Sequence, residues 1–160
     1  MNEEAKKMVL RKMTYGLWVL TAGKGDDLEA SSLAWVMQTS FNPPLVVAAV
    51  EAHSHLAQVI ERHQAFAIHL LTKQQKALAE AFTEPTTEGG SKIGGITFKP
   101  APVTGAPLLE GFSAWAEAKV TDVVSCGDHS LFVAQVVEAG VSDDKAQPLV
   151  LAEVGWDYGG

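Results

Sequence analysis

Three short clusters in this 160-residue chain carry residue types able to do chemistry. The first is Ser31-Ser32 with Gln38-Thr39-Ser40, just before the Asn42-Pro43-Pro44 break. Proline donates no ladder hydrogen bond, so backbone N–H and C=O groups come free beside those hydroxyls and that amide. Together they could bond a polar heterocycle, or the Ser and Thr could satisfy their own turn. The second is His53-Ser54-His55, where Ser54 stands as the N-cap of a helical pattern. Free amides and the macrodipole at such a start suit a phosphate, although plain capping accounts for the serine equally well. The third is Gly127-Asp128-His129, leading into a long apolar strand. It sets an imidazole at a strand mouth, facing a ligand or bonded to Asp128. Lys92 is the only cation of the irregular segment before Lys99.

Other chemistries find little support. GxSxG, P-loop, HExxH and GxGxxG patterns are absent, which leaves hydrolase, nucleotide-hydrolysing and Rossmann sites unindicated. His53-x-His55 with Glu51 is the closest approach to a metal set, and spacing supplies no further ligand. Cys126 is a lone cysteine, so neither an intrachain disulfide nor a CxxC motif can form. A single thiol is what a reducing compartment permits.

The elements that must position these clusters follow from periodicity and turn chemistry. Residues 2–13 read as a short helix capped by Asn2, with Glu3 and Glu4 at its positive end. Residues 15–22, apolar on both faces, read as a buried strand. GKGDD (23–27) is a turn, 30–37 a second strand, and 45–50 another fully buried strand. Leu56, Val59, Ile60 and His63 share one helix face. Residues 65–71 alternate as a strand, and Thr72 to Gln75 has capping-box spacing ahead of a helix with Leu78 and Phe82. Residues 83–111, with six Gly and four Pro, read as one long functional or disordered loop. Two long strands, 113–124 and 129–139, flank a Ser125–Asp128 hairpin, and 149–153 reads as a last short strand. Hairpin connections make the strands antiparallel. Strands apolar on both faces point to a barrel with added helices.

Composition agrees with one domain over residues 1–160: 47% hydrophobic and 19% charged. With 12 Lys+Arg against 19 Asp+Glu the formal charge is −7, which repels a nucleic-acid backbone. The longest aliphatic run, Leu45 to Val50, falls far short of the roughly 20 residues of a membrane helix. The start, MNEEAKKMVLRKM, lacks the apolar core of a signal peptide. The expectation is a soluble, cytoplasmic protein that engages neither nucleic acid nor membrane.

Taken in order, the segments resemble the flavin reductase-like family with an FMN-binding split-barrel fold. The likeness runs from about Leu10 to Leu151. It is carried by Met13 to Thr21 (MTYGLWVLT), Ser31 to Ser40, Asn42-Pro43-Pro44-Leu45-Val46, Ser54 to Ile60, Phe66 to Leu71 and Gln75 to Phe82. Gly105 to Leu109, Gly127 to Val133 (GDHSLFV) and Pro148-Leu149 complete it. The resemblance implies a mainly β, antiparallel split barrel with added helices, working as an NAD(P)H:flavin oxidoreductase. The cofactor would be FMN, with FAD the alternative, and NADH or NADPH the reductant. It also implies a homodimer that serves a monooxygenase or another electron acceptor. On this likeness Ser32, Leu33, Ala34, Met37, Gln38, Thr39 and Ser40 wrap the flavin. His53, Ser54, His55 and Lys92 hold its phosphate, and His129 lies near the nicotinamide. This chain departs from the common pattern in having Leu33-Ala34 where many members have Ala-Asn, and Leu56 where many have Thr. Two other readings stay open: an FMN-binding electron-transfer protein without a nicotinamide site, and a split-barrel relative for pyridoxal phosphate or haem.

Overall fold

The computed structural model describes residues 1–84 and 92–160. Helix α1 (Glu3–Leu10) is capped by Asn2, whose side chain accepts from the Ala5 amide. A hairpin follows, β1 (Trp18–Lys24) and β2 (Asp27–Leu33). Its turn depends on Gly23, at φ +98°, where an added Cβ would sit 1.8 Å from the Asp27 carbonyl oxygen. Strands β3 (Val36–Ser40) and β4 (Leu45–Glu51) pair across the Pro43-Pro44 turn. Then come α2 (His55–His63), β5 (Ala65–Leu70), a single 3₁₀ turn (Lys73–Gln75) and α3 (Lys76–Ala81). The short strands β6 (Lys92–Ile93), β7 (Ile96–Pro100) and β8 (Pro107–Leu109) precede the long hairpin β9 (Ala114–Ser125) and β10 (His129–Val141). The last helix is α4 (Leu151–Val154).

Seven strands form one antiparallel sheet in the order β2-β1-β5-β9-β10-β4-β3, so its two edges are β2 and β3. A flat sheet of this width would hold its edges roughly 29 Å apart, at about 4.8 Å per strand. Yet Leu33 ends one edge and Val36 begins the other, and three peptide steps span at most about 11 Å. The sheet therefore curls until its edges meet at Ala34-Trp35. The described hydrogen bonds do not join β2 to β3, so the curl is not closed as the expected barrel would be.

The concave face is one core. All seven strands contribute, among them Leu20, Leu33, Val46, Ala48, Phe66, Ala118 and Phe132, and α2 inserts Leu56, Val59 and Ile60. A second core lies outside β1 and β2, where Leu17, Val19 and Ala30 meet Phe82, Ile93, Leu109, Phe112, Leu149 and Leu151. This outer layer covers the second face of β1, and Ala101, Ala106 and Leu108 cover that of β5 at Ala67. Strand β4 is not buried in that way: Leu45, Val47 and Ala49 are half-exposed, so the described elements leave its outer face partly uncovered.

Several expectations change. The run 30–37 is two strands with a corner, not one. The Gly- and Pro-rich segment holds a three-stranded meander, β6-β7-β8, where a loop was expected; its residues 85–91 lie outside those described. Residues 151–154 are helical, and only the single bridges Gly16–Val150 and Thr72–Pro148 remain of the expected last strand. No helix among the described residues is long and apolar enough to cross a membrane.

Two buried polar anchors brace this frame. His69 of β5 contacts the Val19 carbonyl through Nδ1 at 3.1 Å and accepts from the Leu109 amide at Nε2, 3.0 Å. Glu117 of β9 accepts from the Val103 amide (3.0 Å), the Thr104 amide (2.7 Å) and the Thr104 hydroxyl (2.6 Å). Both side chains are fully buried. On the surface, Asp27 takes two hydrogen bonds from Arg62 and one contact from His63, tying the β1–β2 turn to the end of α2. The Arg62 hydrogen bonds, then His63, hold its carboxyl well below the usual range.

Candidate functional site

A cleft of about 400 Å³ opens where the sheet edges meet, within the size range of small-molecule sites. Ser31 and Ser32 of β2, the corner residues Leu33, Ala34 and Trp35, and Ala49, Val50 and Glu51 of β4 form its floor and one side. Ser54, Leu56, Leu151, Trp156, Asp157 and Tyr158 line the rest. Local geometry fixes the corner. The Val36 amide bonds back to Ala34 (3.1 Å), and the Trp35 carbonyl accepts from the Ala49 amide of β4 (2.9 Å). These bonds hold the indole of Trp35 against the cleft. Its Nε1 is buried and has no hydrogen-bond partner among the described residues. A buried indole N–H ordinarily finds an acceptor, and leaving a donor unmet costs about 1–3 kcal/mol. That donor is shut off from the open cleft as it is from solvent, so a ligand acceptor would meet it only once the rings packed on the indole move aside.

The start of α2 supplies the second part. Ser54 Oγ accepts from the Ala57 amide (3.2 Å) and donates to the Glu51 carbonyl (2.7 Å), so it acts as an N-cap. The earliest helical bond runs from Gln58 to Ser54 (3.3 Å), which leaves the His55 and Leu56 amides ahead of the ladder. His55 is half-exposed and meets the buried carboxylate of Glu29 at 2.7 Å through Nδ1. His53 is exposed on the preceding turn.

The third cluster joins the second through the sheet. His129 pairs in register with Glu51, and the Ala52 amide donates to the Asp128 carbonyl (2.9 Å). The imidazole lies between two partners, Asp128 Oδ1 at 2.7 Å from Nδ1 and the Tyr158 hydroxyl at 2.9 Å from Nε2. A carboxylate only accepts, so Nδ1 carries the proton and Nε2 of the neutral ring accepts from Tyr158. The hydrogen bond from His129 holds the Asp128 carboxyl below its usual range. Burial, then the negative charges of Glu51 and Asp128, push the Tyr158 hydroxyl up, so Tyr158 remains a neutral donor. The Trp35 ring completes the group, 4.7 Å from the His129 ring centre and 5.0 Å from that of Tyr158.

Of the residues singled out in the sequence, Ser32, Leu33, Ala34 and Ser54 line the cleft. His129 borders it through Trp35 and Tyr158. The Ser32 hydroxyl is already engaged with the Ala79 carbonyl at 2.8 Å. Met37, Gln38, Thr39 and Ser40 lie along the edge strand β3, beyond the cleft walls. Met37 is largely exposed there, and the Gln38 amide donates to the Ser40 carbonyl. Lys92 is exposed on β6, paired with Thr97, and is not among the lining residues. The sequence reading passed over Trp35 and the segment 156–158. Trp35 had a usable signal, as an indole inside the segment assigned to ligand wrapping. Tyr158 had none, standing 29 residues from the histidine it touches.

A family model described as a flavin reductase like domain matches residues 10–157. The chain belongs to this flavin reductase-like family. Among relatives, it is 29% identical over 139 residues to an NADH-dependent FMN reductase, AsuE2, of Streptomyces nodosus subsp. asukaensis, covering 84% of this chain and 73% of that one. It is 27% identical over 132 residues to diflavin flavoprotein A 1 of Synechocystis sp., covering 82% of this chain and 23% of that one. The chain spans about a quarter of the length of the diflavin flavoproteins it matches. Among solved structures, the flavin reductase of styrene monooxygenase from Pseudomonas putida S12 superposes with a TM-score of 0.71 at 25% identity over 86% of both chains. In the flavin reductase-like frame, Ser31 and Ser32 of the first cluster, Ser54 of the second and Trp35 line one cleft, His129 of the third borders it, and Met37 to Ser40 and Lys92 stand elsewhere.

Proposed function

We propose that the chain is an NAD(P)H-dependent flavin reductase, an FMN-binding split-barrel domain that takes FMN, or FAD as the alternative, in the cleft at the β2–β3 corner. The observation that carries this reading is the cleft itself, walled in part by Trp35, whose buried Nε1 has no hydrogen-bond partner among the described residues. Its neighbours Leu33, Ala34 and Val50 are apolar, and a polar heterocycle with carbonyl acceptors suits such a mixture. The His55 and Leu56 amides at the start of α2 suit the phosphate end, with the half-exposed His55 beside them. Among the described residues no Lys or Arg lines the cleft, so backbone amides carry most of the anion recognition, and His53 and Lys92 contribute from outside its walls. Ser32 supports the wall more than it recognises a ligand, since its hydroxyl is spent on α3. Met37, Gln38, Thr39 and Ser40 would meet a ligand that extends out of the cleft along β3.

When bound, flavin supplies the redox chemistry by accepting a hydride from NADH or NADPH. The chain's own residues bind, orient and exclude water. Trp35 donates to the ligand. His129, fixed by Asp128, presents Nε2 to the cleft side. The apolar corner keeps water from the reacting face. No general acid or base is required, which fits a site without a catalytic triad.

The chain is further proposed to be a homodimer working in the cytoplasm, with a monooxygenase or another electron carrier as its acceptor. The half-exposed outer face of β4 and the exposed Met37 and Phe41 support the dimer, because a partner would cover them. Unpaired Cys126 suits a reducing compartment. The second reading, an FMN-binding electron-transfer protein with no nicotinamide site of its own, draws support from Tyr158, which already occupies Nε2 of His129.

Substituting Trp35→Phe keeps the ring and removes the N–H. It is expected to weaken FMN binding about 5- to 100-fold, as loss of one buried hydrogen bond implies. Flavin fluorescence titration measures this, and an unchanged affinity would remove the main support for the cleft. His129→Ala should leave FMN affinity nearly intact and change the NADH or NADPH dependence of turnover. Unchanged turnover and nicotinamide affinity would take His129 out of the site.

A further inference from the structure

The segment Gly155–Gly160 belongs to no sheet and no helix, yet it forms one wall of the cleft. It turns away from α4 at Gly155, in the left-handed region at φ +74°. Three attachments hold it. Trp156 packs against the outer core. Arg11 donates to the Asp157 carboxylate (3.0 Å) and to the Gly159 carbonyl (3.2 Å). Tyr158 donates to Nε2 of His129 at 2.9 Å and lies tilted against Trp35. The Arg11–Asp157 pair is solvent-exposed, with Asp157 76% accessible, and such pairs are weak and salt-screened. Beyond the Trp156 anchor, a segment held this way belongs to the part of a protein that opens locally at low cost.

We infer that residues 155–160 form a strap over the cleft, and that Tyr158 is a positioning residue which competes with the nicotinamide for Nε2 of His129. The inference rests on the flavin reductase reading for the identity of the competitor, not for the strap itself. In the closed arrangement Nε2, the only free acceptor of the imidazole, is filled from the strap, and Asp128 fills the other nitrogen. A nicotinamide carboxamide, which carries N–H donors, can reach Nε2 only after Tyr158 leaves. The apparent affinity for the reductant is then lowered by the fraction of molecules in which the strap is closed. Arg11 sets that fraction from a distance, because its two bonds hold the strap down. The ring of Tyr158 also shields one side of Trp35, so strap position and cleft wall move together.

Tyr158→Phe keeps the ring and deletes the donor. With FMN present, it is expected to lower KM for NADH or NADPH roughly two- to tenfold, the span of one ordinary hydrogen bond. The change in KM should exceed any change in kcat. Arg11→Ala, which touches neither cleft nor histidine, should move KM in the same direction. A first measurement needs no flavin: the side-chain ¹⁵N resonances of His129. In Tyr158→Phe the Nε2 signal should shift while Nδ1 keeps its Asp128-bonded position. An Nε2 signal unmoved by Tyr158→Phe would overturn the strap contact, whatever the chain does with flavin. A shifted Nε2 with a KM that stays the same or rises in both variants would overturn the competition. Absence of NADH and NADPH oxidation in wild type and variants alike would overturn the reductase reading, and the nicotinamide clause with it.

Discussion

Replacing Glu117 by alanine is expected to cost the fold about 4 kcal/mol. The carboxylate is fully buried on β9 and receives three hydrogen bonds, from the Val103 and Thr104 amides and the Thr104 hydroxyl. Removing it leaves buried donors unmet at about 1–3 kcal/mol each, and the vacated volume adds to the loss. The side chain cannot be exchanged for its isostere either. In Glu117→Gln one oxygen becomes an NH₂ facing another N–H donor, and a loss of about 2 kcal/mol follows. Denaturant unfolding with an unchanged m-value measures both losses. Values below about 1 kcal/mol for the alanine variant would show that loop 101–106 can settle its amides without β9.

The second large effect comes from His69 and appears as an acid limb in the stability curve. The Val19 carbonyl can only accept, so Nδ1 of His69 must carry the proton. The Leu109 amide can only donate, so Nε2 must not. The geometry thus admits the neutral ring alone. Burial pushes the imidazole down to about 4, opposed by the bond to Val19. Between about pH 6.5 and pH 4 the unfolded chain binds a proton at this position that the folded chain refuses, so stability rises with pH across that window. The contribution is fully present above the unfolded value of about 6.5 and is lost as pH falls towards 4, a change of about 3 kcal/mol. Chemical denaturation at closely spaced pH values checks it, with His69→Gln as the control that should flatten this part of the limb. A wild-type curve level from pH 7 to pH 4 would contradict the tautomer assignment.

Both anchors were invisible in the sequence, because each works through partners far along the chain. Leu109 is 40 residues from His69, and Val103 is 14 from Glu117. Local signals were legible where local physics decides. Asn2 and Ser54 cap the helices expected of them, Gln75 Oε1 accepts from the Thr72 amide as capping-box spacing implies, and Ser125–Asp128 joins two long antiparallel strands. The corner at Ala34-Trp35 was not legible, because no Gly or Pro interrupts the apolar run around it. The meander β6-β7-β8 read as loop because its Gly and Pro residues punctuate strands only two to five residues long. Strand β4 read as buried on both sides because Leu45, Val47 and Ala49 are as apolar as the residues between them, although the described residues leave them half-exposed.

The candidate site followed the same division. Ser32, Leu33, Ala34 and Ser54 reached the cleft because short-range geometry carries them there. Lys92 was placed by loop analogy and stands on a separate small sheet. Trp35 and Tyr158, which give the cleft its unmet donor and its strap, emerge only when the sheet curls and the segment 155–160 folds back onto α1.

An anaerobic titration separates a reductase from a flavin carrier. The protein is mixed with an equivalent of FMN, NADH or NADPH is added, and the flavin absorbance is followed against free FMN under the same conditions. Bleaching is expected to be complete near one equivalent of at least one reductant, at a rate far above the protein-free control, with loss of the effect in Trp35→Phe at low FMN. A protein that binds FMN while neither NADH nor NADPH bleaches it faster than the control would contradict the reductase reading, and electron transfer from a partner would take its place.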